Sequence, residues 1–345
     1  MSGMRTGLLP DTIGLSHGSG GRDMHALLEH LVFPCLGITS GEHADQAVLP
    51  LGVLTAQGDR LAYTTDSYTV DPLSFPGGDI GSLAVNGTVN DLAVGGAVPL
   101  YLTCGLIIEE GLSTVLLRRL LTSMGEAAQV AGVTLVAGDT KVVHRGAADK
   151  LFINTSGIGV IPASVTLGQA RIRPGDQVLV SGPIGDHGTA ILGARGDLHL
   201  DVSVPSDCKP LHALCQALVA DCLGVRCMRD ATRGGVAAVL NEFAAAAHVG
   251  IRINEALLPM RAPVRGASEI LGLDPLYLAN EGTLIAIVSP EESDAALAIM
   301  QRFDPGAAAI GEVLERHRGM VSITTSLGGE RVLDMPAGEL LPRIC

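Results

Sequence analysis

Two periods of hydrophobic and polar residues alternate along the chain, and glycine and proline mark the changes from one to the other. Short runs rich in β-branched and aromatic residues predict strands over 61–66, 133–137 and 151–156. Longer runs rich in leucine, alanine and valine predict helices over 80–94 and 114–131. The pattern breaks near 162–175, where Arg171-Ile-Arg-Pro-Gly-Asp-Gln177 leads into a new strand over 178–181. The second half repeats the alternation, with a helix around 234–247, a strand over 284–288 and a helix over 291–303. Interleaved strands and helices predict a mixed α/β protein rather than a helical bundle. Its 345 residues can form two hydrophobic cores. The expected division is an N-terminal domain over 1–161, a C-terminal domain over 162–334 and a flexible tail over 335–345.

Polar positions inside apolar runs sharpen this picture. Asp79, Asn86 and Asn90 stand at spacings of seven and four, one polar stripe on a helix whose buried side is Ile80, Leu83, Ala84 and Gly87. Inward-facing amides need partners, which a phosphate and metal cluster, water or a subunit contact would supply. Cys208, Cys215 and Cys222 recur every seven residues and are expected on one helix face among Leu211, Leu214 and Leu223, packing as small hydrophobes. Their spacing lacks the paired form of a zinc site.

A net charge of −13, with no basic run and no tryptophan, would repel a phosphate backbone, so nucleic acid is not an expected ligand. The apolar stretch over 97–108 is shorter than the ~20 residues a membrane-spanning helix needs, so no membrane association is expected. Seven cysteines, an odd number in a long chain with no secretory signal, point to a reduced, cytoplasmic setting. The three lysines, at 141, 150 and 209, do not follow glycine, so a P-loop is absent and ATP would have to be held by another route.

Acidic residues recur at strand ends and in glycine loops: Asp45, Asp66, Asp91 and Asp139. Several carboxylates at one sheet edge suit Mg²⁺, a hard cation that shares oxygen ligands with phosphates and water. Glycine-rich loops at 15–22, 181–188, 229–235 and 280–282 are free to present backbone N–H groups to anionic oxygens. The chain ends in Pro342-Arg343-Ile344-Cys345, behind a segment with prolines at 336 and 342 that disfavour helix and sheet. The nine residues beyond Pro336 would extend roughly 30 Å, enough to carry a thiol into a distant cleft as an arm that buries little.

In order and across nearly the whole length, Ser16-His-Gly-Ser-Gly-Gly-Arg22, Thr64-Thr-Asp-Ser67, Phe75-Pro-Gly-Gly-Asp-Ile-Gly81, Val89-Asn-Asp-Leu92, Gly138-Asp-Thr-Lys141, Gly185-Asp-His-Gly188, Arg229-Asp-Ala-Thr-Arg-Gly-Gly235, Asn280-Glu-Gly282 and the terminal Pro-Arg-Ile-Cys resemble the HypE hydrogenase maturation factors. The terminal tetrapeptide discriminates this family within the wider superfamily of AIR synthase, selenophosphate synthetase and thiamine-monophosphate kinase.

The resemblance implies a two-domain, PurM/AIR synthase-like α/β (α+β) fold that dimerises through the N-terminal sheet, with ATP and Mg²⁺ in the cleft between domains. It implies that a HypF carbamoyltransferase loads a carboxamide onto Cys345, that ATP-dependent dehydration converts it to thiocyanate, and that a HypC–HypD complex receives the cyanide for the iron of a [NiFe] hydrogenase.

On this basis Asp45, Asp66, Asp91 and Asp139 are expected to hold metal. His17, Gly18, Gly20, Gly21, Asn86, Asn90 and Asp230 are expected at the nucleotide with Asp66, Asp91 and Asp139. Lys141 and Glu281 are the expected proton-transfer pair, with His187 as the alternative base. Two other readings stay open at this point. A selenophosphate synthetase would be expected to carry a reactive Cys or selenocysteine in its N-terminal glycine segment, where this chain has Ser16-His-Gly-Ser. A non-catalytic thiol carrier would show no ATP turnover dependent on its carbamoylated tail.

Overall fold

The structure is a computed structural model and describes residues 9–38, 46–196, 204–338 and 341–345. Its first sheet has the order β1-β6-β4-β5 and comprises β1 (Arg60–Tyr68), β4 (Val98–Glu109), β5 (Thr134–Val143) and β6 (Leu151–Ile161). A two-stranded ribbon of β2 (Ser74–Phe75) and β3 (Gly78–Asp79) leads into the helix Ile80–Val94. β4 and β5 run parallel, joined by the helix Thr114–Ala131, and the other pairs in this sheet are antiparallel. The second sheet has the order β13-β12-β9-β11-β7-β10-β8. Its strands are β7 (Gln177–Val180), β8 (Val225–Asp230), β9 (Gly250–Asn254), β10 (Leu284–Val288), β11 (Ala308–Leu314), β12 (Val321–Thr324) and β13 (Glu330–Val332).

The helix Ile80–Val94 organises both halves. Asp79 starts it by accepting from the N–H groups of Gly81 and Ser82 at 2.9 and 3.0 Å, while Ser82 Oγ accepts from the Asp79 N–H. The two-sided pattern expected from its polar stripe is not what forms, because nearly every residue of the helix is buried. It packs on β1 and β6 with one face and on β8 and the helix His212–Asp221 with another. Ile80 to Val89 accordingly belong to the N-terminal core, whereas Ala93 and Val94 belong to a cluster built with Leu214, Leu218 and Met228. A helix buried on nearly every side is an element enclosed by protein, and its buried Asn86 and Asn90 need partners there.

The cysteine spacing is read differently by the structure: only Cys215 lies within the helix His212–Asp221. Cys222 caps its end, and Cys208 precedes it beside Asn86.

The C-terminal residues are docked, which corrects the expectation of a loose arm. Ile344 is 4% exposed and joins the N-terminal core. Thr69 donates to the Cys345 carbonyl oxygen from its N–H at 3.0 Å and from Oγ1 at 3.2 Å. The Asp71 N–H donates to the Arg343 carbonyl, Arg195 donates to the carbonyls of Pro342 and Arg343, and Arg343 pairs with Asp149. The prolines do keep this segment out of helix and sheet, yet its carbonyls remain free to accept, and donors from both domains take them.

Burying an isoleucine side chain contributes about 1.5–3 kcal/mol, so Ile344→Ala is expected to weaken docking by enough to expose the thiol about tenfold more often. Maleimide labelling of Cys345, read by mass on the C-terminal peptide, should accelerate by that factor with only a small fall in melting temperature. An unaltered labelling rate would show that Ile344 does not hold the tail in place.

Candidate active site

The docked tail leads to a group of carboxylates contributed by both domains. Asp66 stands near the end of β1, Asp91 on the helix Ile80–Val94, Asp230 at the end of β8, and Glu281 in the Asn280-Glu-Gly loop before β10. These groups perturb one another without touching. Burial and the charges of Asp91 and Asp66 push the Asp230 carboxyl up to about 7, against the pull of Arg229. Asp91 is raised by desolvation and by Asp66, although the Thr64 hydroxyl donates to it at 2.8 Å. Glu281 is 2% exposed and is driven well above the ordinary carboxylate range by burial and then by Asp207, Asp230, Asp66 and Asp91.

Local sequence explains how Glu281 is held inside. Asn280 accepts from the Gly185 N–H at 2.7 Å and donates to the carbonyls of Ala231 and Leu278. Asp207 accepts from the N–H groups of Glu281 and Gly282 at 2.9 and 3.0 Å and from Thr283 Oγ1. At Gly282 a Cβ would lie 1.9 Å from the Asp207 carbonyl oxygen, so no larger residue fits this approach. Asp207 was not among the expected site residues. Its signal in sequence is weak, since a Ser-Asp pair is also an ordinary turn.

The Cys345 thiol reaches this group within its own chain. Its ionisation is pushed up by burial and by Glu281 and Asp66, and is opposed by Arg233, so it stays protonated at neutral pH. His187 is fully buried, with Nε2 2.8 Å from the Ile344 carbonyl oxygen and Nδ1 2.8 Å from Ser206 Oγ. A carbonyl only accepts, so Nε2 carries the proton and donates, and the Ser206 hydroxyl donates to Nδ1. Burial lowers the His187 pKa and keeps the ring neutral. Both ring nitrogens are therefore engaged, Nε2 by the tail and Nδ1 by Ser206, which differs from the expectation of His187 as the alternative base.

Other expected residues are placed differently. Asn90 Oδ1 accepts from the Leu211 N–H at 2.7 Å, and Nδ2 donates to the carbonyls of Lys209 and Glu281 at 3.1 and 3.3 Å. Its amide joins the two domains, with both Nδ2 protons donated to protein carbonyls. Lys141 is exposed and paired with Asp139 at 3.1 Å. Asp139 and Lys141 lie on β5 and Asp66 on β1, at opposite edges of the sheet. Two strands intervene, a separation of roughly 14 Å.

The glycine loop sits beside β5, where a Cβ on Gly18 would come 2.6 Å from the Val142 backbone nitrogen. Gly20 has φ +77°, and Gly21 caps the helix Arg22–Leu27. His17 accepts the Gly14 N–H at 3.0 Å and so closes its own turn. Asp45 lies outside the described residues.

Among the described residues no three His, Cys, Asp or Glu side chains converge to hold a metal ion by themselves. Asp66, Asp91 and Asp230 supply hard oxygens whose mutual repulsion a cation would relieve, which fits Mg²⁺ shared with phosphate oxygens rather than caged by protein. No helix among those residues is long and apolar enough to cross a membrane.

The family models for the AIR synthase related protein N-terminal and C-terminal domains match residues 43–161 and 173–324. The chain is 51% identical over 340 residues to the carbamoyl dehydratase HypE of Rhodobacter capsulatus, covering 98% of this chain and 99% of that one. A crystal structure of a HypE in complex with ATP superposes with a TM-score of 0.89 at 46% identity, covering 96% of this chain and 99% of that chain. A HypE–HypF complex structure matches with a TM-score of 0.77 at 47% identity, covering 80% and 90%. The chain belongs to the HypE family of carbamoyl dehydratases, with the two-domain AIR synthase-like architecture.

Proposed function

We propose that this carbamoyl dehydratase acts on its own C-terminus, using ATP to convert an S-carboxamide on Cys345 into a thiocyanate that supplies cyanide to the iron of a [NiFe] hydrogenase. The observation that carries the reading is the docked tail, with the Cys345 thiol in the field of Glu281 and Asp66.

An amide oxygen leaves poorly, so it first attacks the γ-phosphorus of ATP and ADP departs. Glu281 removes a proton from nitrogen, the C–O bond breaks with release of phosphate, and loss of the second proton completes the C≡N bond. Oxygen thus leaves in phosphate and both protons leave nitrogen, a net removal of water. A carboxylate with a raised pKa is the stronger base for a weakly acidic N–H.

Arg233 faces the thiol, and Asp66, Asp91 and Asp230 would hold Mg²⁺, which supplies charge neutralisation at the phosphates. The ATP complex of a similar protein supports the nucleotide.

The Cys345 side chain is half-buried and its backbone is held by donors from both domains, so the tail is proposed to undock for loading. A HypF-type carbamoyltransferase is the proposed donor, supported by the HypE–HypF complex of a similar protein. A HypC–HypD complex is the proposed acceptor, and the cytoplasm the proposed location. The outer face of the first sheet leaves Leu61 and Tyr63 63% and 69% exposed, and Ile107 also open. This supports a homodimer through that face, and a second copy would offer its own Asp139 and Lys141 at the sheet edge.

Cyanate, which adds to a thiol to give an S-carboxamide, provides a direct test. After loading, Mg-ATP is expected to remove the mass of one water from the C-terminal peptide with one ADP released per chain, and Cys345→Ala is expected to yield neither. ATP turnover without that mass loss would contradict the reading.

The raised Asp230 pKa gives a second expectation. Stability that is complete below the ordinary 3.8 is lost as pH rises toward about 7, where the folded group ionises. Asp230→Asn should therefore be more stable than wild type by a margin that grows from pH 4 and levels off above 7, on the order of a few kcal/mol. Mg-ATP should stabilise the variant less than wild type. Parallel stability curves across this range would show that Asp230 bears no such strain.

A further inference from the structure

Six buried side-chain polar atoms have no hydrogen-bond partner among the described residues, and two of them, Asn86 Oδ1 and Glu281 Oε1, belong to the surroundings of Cys208. Asn86 is 4% exposed and Glu281 2%. Leaving a buried acceptor without a donor costs about 1–3 kcal/mol, so two in one neighbourhood call for a ligand that donates.

Asn86 is firmly aimed. Its Nδ2 donates to Cys208 Sγ at 3.4 Å, which leaves Oδ1 free. One turn further on, Asn90 fixes the same helix against the Glu281 carbonyl. The Cys208 N–H donates to Ser206 Oγ at 3.0 Å, Ser206 pairs with His187, and His187 holds the carbonyl of Ile344, the residue before Cys345. Cys208 and Cys345 both pack against the same core and both lie in the field of Glu281.

We propose that Asn86 Oδ1 accepts one N–H of the carboxamide carried on Cys345, while Glu281 Oε1 faces the other. This rests on the reading of Cys345 as the carrier. A carboxamide offers two N–H donors and one oxygen. Two acceptors on the nitrogen side satisfy both donors and turn the oxygen away, toward the nucleotide that must phosphorylate it. The same pair would reject a carboxylate, which has no proton to give either acceptor. Asn86 thereby selects an amide and sets its orientation, and Glu281 takes the proton.

The test uses full-length Asn86→Ala and Asn86→Asp, loaded at Cys345 with cyanate and followed by mass in single turnover with Mg-ATP. Asn86→Ala removes an unsatisfied buried atom and adds a good helix former, so its melting temperature should equal or exceed that of wild type. Its ATP affinity should be unaltered and its dehydration slowed about ten- to a hundredfold. Asn86→Asp retains an oxygen at the same position and should fall between the two. An Asn86→Ala rate within twofold of wild type would overturn the proposal. So would a melting temperature lowered in step with the rate, which would mark a structural role. Should Asn86→Ala fail to fold, an Asn86→Asp rate within about tenfold of wild type supports the proposal and a larger loss overturns it. If wild type itself loses no water, the carrier reading fails first, and the two failures are distinguishable.

Discussion

The Asn90 amide ties the two domains of this molecule together at their shared helix. Asn90 receives the Leu211 N–H and donates to the Lys209 and Glu281 carbonyls, so a side chain on the helix Ile80–Val94 holds the second domain's Asn280-Glu-Gly loop against the first. Because that helix is buried on nearly all sides, these hydrogen bonds act away from water, where a broken one costs most. Asn86 and Asp91 ride on the same helix, and Glu281 is held by the contact. The carboxylates meet because the two cores share one element.

The tail uses the same cleft. Its carbonyls are taken by Thr69 and Asp71 from the first domain and by His187 and Arg195 from the second, so docking senses how the domains stand relative to each other. A neutral His187 gives the tail a donor without adding charge beside Glu281. The site is electrostatically strained, with Asp230 and Glu281 raised first by burial and then by neighbouring carboxylates, and a cation and nucleotide would relieve the second part. In the proposed reaction, that strain is what would make Glu281 a stronger base once the site is complete.

The elements themselves were legible. The helices Ile80–Val94 and Thr114–Ala131 and the strand Leu284–Val288 carry clear periodicity and sharp glycine or proline boundaries. The roles of Asn86 and Asn90 were not separable, because a buried amide on a helix gives the same pattern whether it meets a ligand or a neighbouring backbone. Nor was the separation of Asp139 from Asp66, which depends on strand order across the first sheet. The docked tail escaped because backbone carbonyls do the accepting, and every residue type has one. Cys208 kept a sevenfold spacing from Cys215, yet it belongs to the loop before the helix and faces Asn86.

The ionisation of Cys345 tests the central claim most directly. The pH dependence of its alkylation, followed on the C-terminal peptide, should place the thiol well above its ordinary 9.0 in the intact protein. It should fall back toward that value when Glu281→Gln removes the neighbouring charge or when the tail is undocked by Ile344→Ala. A Cys345 that titrates at its ordinary value in the unaltered protein would contradict the account, since the thiol would then lie in water rather than beside Glu281.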